Sequence, residues 1–168
     1  MKIRTGGPQD VRAVLGMFDG AVAWLVAQGR TGQWGGEPFS DDPKRHAQVR
    51  EWAEGGGMRI AESGGEPAGC LVLGPPHPYV DPAPEPELYV QALVIDQRFS
   101  GHGVGRALLD LALREARERR ARLLRVDCYA GDDGRLIAYY ERWGFTREKP
   151  FSVGAWPGMI LRREVQAA

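Results

Sequence analysis

The sequence has few cysteines, no excess of either charge and no long apolar run. Each of these absences argues against a class of protein. Its two cysteines, Cys70 and Cys128, are far apart and lie in strand-like runs, so we expect reduced core thiols rather than a disulfide framework. Lys plus Arg and Asp plus Glu both number 22, and a formal net charge of zero argues against a nucleic-acid binder. No apolar run approaches the roughly 20 residues of a membrane span.

Signals for export and for metal binding are also lacking. The first residues, MKIRTGGPQD, contain no hydrophobic signal region, which leads us to expect a cytoplasmic protein. The histidines, His46, His77 and His102, have no partners at metal-ligand spacing, so the sequence predicts no metal site. The chain has 168 residues, of which 43% are hydrophobic and 26% charged, and this composition is typical of a globular protein. We therefore expect a single domain over residues 1–168.

The most informative stretch is one in which a strand, a glycine-rich turn and a helix follow one another. The apolar run ALVI at 92–95 predicts a buried strand. Glycines then occupy positions 101, 103 and 105, and an apolar stripe from Val104 to Ala112 has the spacing of an amphipathic helix. Because a helix start presents unpaired N–H groups and the positive end of its dipole, this arrangement predicts a site for a phosphate group.

Two familiar phosphate-binding motifs do not fit this turn. A P-loop ends in Gly-Lys-Ser/Thr, whereas this turn ends in Gly105-Arg106-Ala107. A dinucleotide-binding GxGxxG motif needs a small residue where this sequence has Arg106 or Leu108, depending on where the count begins. The stretch SGHGVGRALL instead resembles the Arg/Gln-x-x-Gly-x-Gly/Ala motif of the GCN5-related N-acetyltransferases, the GNAT family. Ser100 stands where that family usually has Arg or Gln.

A second stretch, LIAYYERWGF at 136–145, resembles the helix-to-strand signature of the same family. Asp133 replaces the family's usual Asn, and Leu136 replaces its Ala. We expect the glycine of this motif to end the helix in a left-handed conformation, with the phenylalanine packed beneath the sheet. The positions that match the signature are Tyr140, Glu141, Gly144 and Phe145.

The order of the predicted elements, β-α-α-β-β-β-α-β-α-β-β, is also the order of the family, so the resemblance covers the whole chain. It implies an α/β fold consisting of a single GNAT domain, with a mixed, mostly antiparallel central sheet flanked by helices on both faces and strands splayed at the cofactor site. The first helix is expected to bend at Gly20 or to end near Gly29, and Gly64-Gly65 predicts a hairpin turn. Six prolines between 75 and 86 predict a semi-rigid connection of the length that often carries function.

The resemblance implies acetyl-coenzyme A as the co-substrate, with the main chain as its principal ligand. In the family the pantetheine arm pairs with the strand before the turn, which here is the backbone of Leu93, Val94 and Ile95. Asp133 joins the cofactor-binding set through its place in the second motif. The turn residues that the resemblance assigns to the pyrophosphate are Ser100, Gly101, His102, Gly103, Val104, Gly105 and Arg106.

The same resemblance implies direct transfer of the acetyl group to a primary amine of a small molecule, which calls for a base and an acid. Tyr140 is the candidate acid, because a phenol with a pKa of about 10 can protonate the departing thiolate at neutral pH. A tyrosine that only packs on the sheet is the alternative. The candidate bases are Asp127 and Glu87, each with a structural or solvated carboxylate as its alternative. An acyl-carrying Cys128 is disfavoured, since buried strand cysteines are usually inert.

The acceptor site is expected to be lined by the variable segments of the chain. Trp34, Phe39 and Tyr89 are the candidates for an aromatic wall, and Trp24 fits the core equally well. Such a wall favours a small amine or an amino-acid-like molecule as the acceptor. Two other functions stay open: a non-catalytic acyl-CoA-binding sensor, and a protein or peptide amine acetyltransferase, for which an open acidic groove is expected. A homodimer is the default expectation for the oligomeric state.

Overall fold

The computed structural model describes residues 1–167, and it confirms the predicted order of helices and strands. The α-helices of this part of the chain are α1 (Val11–Ala27), α2 (Pro43–Glu54), α3 (Val104–Glu118) and α4 (Arg135–Arg142). Its strands are β1 (Lys2–Thr5), β2 (Met58–Ser63), β3 (Glu66–Gly74), β4 (Glu87–Ile95), β5 (Leu123–Tyr129), β6 (Thr146–Val153) and β7 (Trp156–Glu164). No helix of residues 1–167 is both long and apolar enough to cross a membrane.

The strands form a seven-stranded mixed sheet in the order β1-β2-β3-β4-β5-β7-β6. The pairs β1-β2, β2-β3, β5-β7 and β6-β7 are antiparallel. The parallel pair is β4-β5, where Glu87 lies opposite Leu123 and Val90 lies opposite Val126. A mostly antiparallel sheet flanked by helices confirms the predicted α/β fold. The splay of the strands at the cofactor site and the single domain over 1–168 stay predictions.

The chain divides into two compact units. Unit 1 consists of residues 1–72 and 92–108, and therefore holds β1, β2, most of β3, α1, α2, the end of β4 and the start of α3. Apolar faces of α1 and α2 pack on the strands, as their spacing predicts. The fully buried side chains of this core include Val14, Val49, Met58 and Ile60.

Unit 2 consists of residues 73–91 and those from 109 onward. It holds the first half of β4, most of α3, and β5, α4, β6 and β7, together with the proline-rich segment 75–86. That segment is ordered: Val80 is buried against Tyr89 and Ile160, and the side-chain amide of Gln91 donates to the carbonyl of Pro75 at 2.7 Å. This agrees with the expected semi-rigid connection.

The path of helix α1 tests two expectations, a bend at Gly20 and an end near Gly29. It runs without interruption from Val11 to Ala27, so the bend at Gly20 is not found, and its end before Gly29 is confirmed. A Cβ placed at Gly20 would meet nothing within 4 Å, so no packing demand explains the glycine there. A glycine in a helix interior costs about 1 kcal/mol. The buried face of α1, which includes Val14, Phe18 and Val22, outweighs that cost.

Candidate active site

The glycine-rich turn of unit 1 is tightly built from main-chain hydrogen bonds. The N–H of Asp96 donates to the carbonyl of Ala68 at 2.9 Å, and the Asp96 carboxylate accepts from the N–H of Arg98. A 3-10 turn follows over Gln97–Phe99. Gly101 and Gly103 then take φ values of +79° and +80°, a left-handed conformation that favours glycine. Their conformation turns the chain into the start of α3.

The first turn of α3 leaves amide groups ahead of the helical ladder. The N–H of Ala107 donates to the carbonyl of Gly103 at 3.1 Å, which makes this the first intrahelical hydrogen bond. The N–H groups of Val104 and Gly105 precede it and have no partner within the helix. A Cβ placed at Gly101 or Gly103 would meet nothing within 4 Å, so no neighbouring atom crowds either glycine on that side. This is the geometry that binds phosphate groups at a helix N-terminus.

Gly69, on β3 of the same unit, sets how closely α3 approaches the strand. A Cβ at this position would lie 2.7 Å from Val104 Cγ1 and 3.2 Å from the terminal methyl groups of Ile95 and Leu108. Any larger residue would push the start of the helix away. Sequence reasoning missed Gly69, although a lone glycine inside a strand pattern is a known signal for close backbone approach.

The predicted cofactor strand and the second cofactor position also have defined places. Leu93, Val94 and Ile95 lie in the part of β4 that belongs to unit 1, with Val94 buried. In unit 2, Asp133 precedes α4 with a φ of +59°, and its neighbour Asp132 has a φ of +55°. Two consecutive left-handed aspartates are uncommon, and Asp residues adopt this conformation more readily than most.

Tyr140, the candidate acid, lies on the inner face of α4 and is 6% exposed. Its ring makes edge contacts with Tyr139 and Phe145 at centroid distances of 5.3 and 5.7 Å. Burial, together with the nearby Cys128, raises the pKa of Tyr140 above its ordinary value, so the phenol carries its proton at neutral pH. The helix ends at Gly144, whose φ is +86°, and Phe145 is buried, as the motif predicts.

Asp127, a candidate base, is held by two phenols in unit 2. The Tyr89 hydroxyl donates to Oδ2 at 2.5 Å, and the Tyr79 hydroxyl lies 3.3 Å from both carboxylate oxygens. Burial raises the pKa of Asp127, while the bonds from the two phenols and the charge of His77 oppose that shift. The structure thus brings together Asp127 and Tyr89, which sequence analysis had assigned separately to the base and to the acceptor wall.

Glu87, the other candidate base, forms an ion pair with Arg125. Its two oxygens accept from Arg125 Nε at 2.7 Å and Nη2 at 3.0 Å. Arg125 is buried, and it also donates to Glu148 at 2.8 Å and to the carbonyl of Asp81 at 2.8 Å. The arrangement ties β4 to β5 and pins the proline-rich segment. Glu87 therefore has the surroundings of a structural carboxylate.

The residues of the predicted aromatic wall lie in different surroundings. Phe39 is a core residue of unit 1, stacked on Phe18 at 4.4 Å, and Trp34 packs edge-on against both rings. Trp24 is exposed. Tyr89 of unit 2 is fully buried, and its hydroxyl donates a hydrogen bond to Asp127.

Two residues near Asp127, Tyr79 and His77, were missed because they lie in the proline-rich segment. The ring of His77 stacks on that of Tyr79 at 5.1 Å, and its Nε2 donates to the carbonyl of Gln91 at 3.1 Å. Arg125 was missed as well, although it lies two residues before Asp127 and the strand period puts both on one face. That spacing was the available signal.

Comparison with known proteins agrees with this geometry. The chain matches the model of the acetyltransferase (GNAT) family over residues 23–145, which is most of its length. The chain belongs to the GNAT family. The resemblance found in the two motifs is thereby confirmed, and at the level of the family so is the expectation of an acyltransferase.

A curated relative of this GNAT chain is the mycothiol acetyltransferase of Propionibacterium freudenreichii subsp. shermanii. The two are 33% identical over 103 residues, which cover 61% of this chain and 31% of the relative. The aligned part of the chain thus spans about a third of the length of that relative.

Solved structures share the fold along nearly the whole chain. A GNAT-family acetyltransferase from Listeria monocytogenes has a TM-score of 0.74 at 22% identity, covering 97% of this chain and 94% of its own. The ribosomal-protein-alanine N-acetyltransferase of Brucella melitensis has a TM-score of 0.68 at 23% identity, covering 98% and 99%. At these identities the likeness establishes the fold alone.

Proposed function

We propose that the protein is an acetyl-CoA-dependent N-acetyltransferase that moves an acetyl group directly to a primary amine of a small molecule in the cytoplasm. The observation that carries the proposal is the turn before α3, whose left-handed Gly101 and Gly103 lead into amide groups that precede the first helical bond. Family membership gives this turn its ligand, and the name of the curated relative supports acetyl transfer.

The residues present fit the coenzyme. The main-chain N–H groups around 100–106 take the pyrophosphate, and no atom lies within 4 Å of a Cβ placed at Gly101 or Gly103. The side chain of Ser100, in place of the usual Arg or Gln, is exposed and is not needed for a main-chain grip. The backbone of Leu93, Val94 and Ile95 takes the pantetheine arm as an added strand, and Asp133 is the cofactor residue before α4. The proposed enzyme uses no metal.

Asp127 is the proposed base, and Tyr140 the proposed acid. Asp127 accepts a proton from the acceptor's ammonium group, which leaves a neutral amine. Acetyl-CoA supplies the acyl group: the amine nitrogen bonds to the carbonyl carbon and the carbon–sulfur bond breaks. Tyr140 gives its proton to the departing thiolate and regains one from the new amide nitrogen as that nitrogen becomes neutral. Asp127 returns its proton to water, so one proton is released for each transfer.

Two features support Asp127 over Glu87 as the base. The two oxygens of Glu87 already accept hydrogen bonds from the buried Arg125, so they are occupied by a structural partner. Burial raises the pKa of Asp127, and a carboxylate with a raised pKa is the better proton acceptor.

The test is release of coenzyme A thiol from acetyl-CoA across a panel of small primary amines. Tyr140→Phe is expected to lower kcat about 100-fold, because the thiolate then leaves without a proton. Tyr139→Phe, the matched change at the neighbouring ring, is expected to stay within about twofold of the wild type. Equal losses in the two variants would remove Tyr140 from the proposed mechanism.

A thermal-shift measurement separates the alternatives. Acetyl-CoA is expected to raise Tm, as any ligand that binds only the folded state does. A raised Tm with no thiol release for any amine would favour the non-catalytic sensor. An unchanged Tm at saturating acetyl-CoA would overturn the proposed function.

A further inference from the structure

The proline-rich segment is anchored on both sides of Tyr79. Two residues before Tyr79, the Nε2 atom of His77 lies 3.1 Å from the carbonyl oxygen of Gln91. Two residues after it, the carbonyl of Asp81 accepts a hydrogen bond from Arg125 Nη2 at 2.8 Å. The main chain that carries Tyr79 is therefore held by one contact on each side.

Glu87 and Arg125 form the anchor that follows Tyr79, and we call this pair the clasp. The two oxygens of Glu87 accept from Nε and Nη2 of Arg125 at 2.7 and 3.0 Å. Glu87 also accepts from the N–H of Ala83 at 2.6 Å, so each member of the clasp bonds the main chain of the segment once. The side chains of Arg125 and Glu87 are 3% and 8% exposed, so water screens this pair far less than a surface pair.

Tyr79 reaches from the segment to Asp127. Its hydroxyl lies 3.3 Å from both oxygens of the Asp127 carboxylate. Its ring is stacked between that of His77, at 5.1 Å, and that of Phe151, at 5.4 Å. Because Tyr79 is 50% exposed, burial does not hold the ring in place. Its position depends instead on the main-chain anchors and on the two rings that cover its faces.

We propose that the clasp is a positioning device, which holds the proline-rich segment so that Tyr79 stays on Asp127, the base of the proposed reaction. Glu87 and Arg125 are then positioning residues, and Glu87 has a role other than that of a base. This inference rests on the proposed function. Loss of the clasp frees the main chain after Tyr79, so that Asp127 loses both a hydrogen-bond donor and part of its cover.

The variant that tests the clasp removes it without changing the net charge. Glu87→Met/Arg125→Met takes away one carboxylate and one guanidinium together, and replacing both members of a buried pair is tolerated better than removing one. Glu148, which also accepts from Arg125, keeps Arg162 at 3.6 Å. Glu148→Gln is the matched control, because it removes a bond to Arg125 that does not reach the segment. If the double variant does not fold, Glu87→Gln is measured in the same way, since one amide oxygen cannot replace two carboxylate oxygens.

Hydrogen exchange tests whether the clasp holds the segment. The informative amide is that of Val80, which donates to the carbonyl of His77 at 2.9 Å, a bond that involves neither member of the clasp. In the double variant we expect this amide to exchange at least about tenfold faster, because the segment opens more often. In Glu148→Gln it should stay within about twofold of the wild type. Unchanged exchange in the double variant would overturn the clasp.

The titration of the Asp127 carboxyl group, followed by NMR, tests the link to the base. The hydrogen bond from Tyr79 lowers the pKa of Asp127 and burial raises it, so release of the segment changes both contributions. The titratable or charged groups around Asp127 lie on the segment, β4, β5 and α4, and they are His77, Tyr79, Tyr89, Arg125, Cys128 and Tyr140.

We expect the double variant to displace the Asp127 titration in the same direction as Tyr79→Ala does. Adding Tyr79→Ala to the double variant should displace it no further, because the same contact has already been lost. A titration of the double variant that coincides with that of the wild type would overturn the link between the clasp and Asp127.

Kinetics connect the clasp to the reaction. In the double variant kcat/KM for an amine substrate is expected to fall about tenfold, because the base is no longer held in its place. Adding Tyr79→Ala should cost no more than about twofold further. A full second loss would show that the clasp and Tyr79 act separately, against the proposal.

Failure of this inference can be told from failure of the proposed function, because exchange and titration need no acetyl-CoA. If thiol is released by the wild type while exchange at Val80 does not respond to the double variant, the function stands and the clasp fails. If acetyl-CoA neither binds nor releases thiol, the proposed function itself fails.

Discussion

Two carboxylates, the buried Asp10 of unit 1 and the half-buried Asp127 of unit 2, differ in the partners that surround them. Asp10 of unit 1 is 4% exposed and accepts from both terminal nitrogens of Arg4, at 2.8 and 3.0 Å, and from the N–H of Gly7. The hydrogen bonds from Arg4 lower the pKa of Asp10. Asp127 of unit 2 accepts hydrogen bonds from two phenols, and burial raises its pKa, a shift that these bonds and the charge of His77 oppose.

The contrast separates a carboxylate that supports the fold from one that is kept for chemistry. Arg4 also pairs with Glu62 at 3.2 Å, so the Asp10 group links the start of α1 to two strands. The ionised form of Asp10 is more stable in the folded state than in the unfolded chain. The ionised form of Asp127 is less stable in the folded state than in the unfolded chain. A protein carries such a cost where function needs the group.

The largest expected effect comes from Asp127→Asn, which keeps the shape of the side chain and removes its charge. We expect kcat/KM for an amine to fall about 100-fold or more, because the proton acceptor is lost. We also expect Tm to rise or stay level, because a destabilising charge is removed. Steady-state kinetics and calorimetry of one preparation check both. A Tm lowered as far as in Asp10→Asn would erase the contrast between the two sites.

The next effect is on stability, from Arg4→Met, which leaves Asp10 buried without its cation. Breaking a buried pair from one side costs several kcal/mol, and because Arg4 is 29% exposed we expect about 2 kcal/mol of unfolding free energy. Arg98→Met is the matched control, since its partners Asp96 and Glu66 are reached from an exposed position. It should leave the free energy of unfolding close to that of the wild type, because exposed ion pairs contribute little. Urea unfolding measures both variants, and equal costs would contradict the assignment.

The pH dependence of stability should run in opposite directions at the two sites. The stability that Asp10 adds is present at neutral pH and is lost as the pH falls below about 4 through its lowered pKa. The ionised Asp127 reduces stability, so its cost appears as the pH rises from about 4 through its raised pKa. Tm against pH, compared between wild type, Asp10→Asn and Asp127→Asn, resolves the two. Parallel curves for the variants would show that the sites do not differ.

The smallest expected effect compares the units through their cysteines. Burial raises the pKa of both Cys70 and Cys128 to about 12, so neither is a thiolate at neutral pH. We expect no reaction of the native protein with an aromatic disulfide reagent within minutes, and full reaction in denaturant. On longer incubation Cys128 should react first, because it is 7% exposed against 1% for Cys70. Rapid labelling of either thiol would contradict the burial.

The fold was largely predictable because its signals are local. Periodic apolar positions located the helices and strands, and Gly64-Gly65 marked the turn of the β2-β3 hairpin, where both glycines have positive φ. The turn before α3 was predictable for the same reason, since its glycines and the helix stripe lie within one short stretch. The expected bend at Gly20 was wrong. A glycine that no neighbouring atom requires cannot be distinguished in the sequence from one that bends a helix.

The candidate site was predictable only residue by residue. Tyr140 and Asp127 could be named from motif and strand position. The hydrogen bonds from Tyr79 to Asp127, and the stacking of His77 on Tyr79, depend on the path of a proline-rich segment that has no periodicity. The ion pair that occupies Glu87 also spans two strands and 38 residues of sequence. Such long-range pairings follow from strand register, which a single sequence does not specify.

Calorimetric titration with acetyl-CoA of wild type, Gly103→Ala and Gly154→Ala tests the central claim most directly. Both glycines have positive φ and open space around them, so the two substitutions carry a similar backbone cost, but Gly103 belongs to the turn before α3 and Gly154 to the β6-β7 hairpin. If main-chain amides of the turn hold the pyrophosphate, Gly103→Ala should bind at least about tenfold more weakly and Gly154→Ala like the wild type. Undiminished affinity in Gly103→Ala, or no heat with the wild type, would contradict the account.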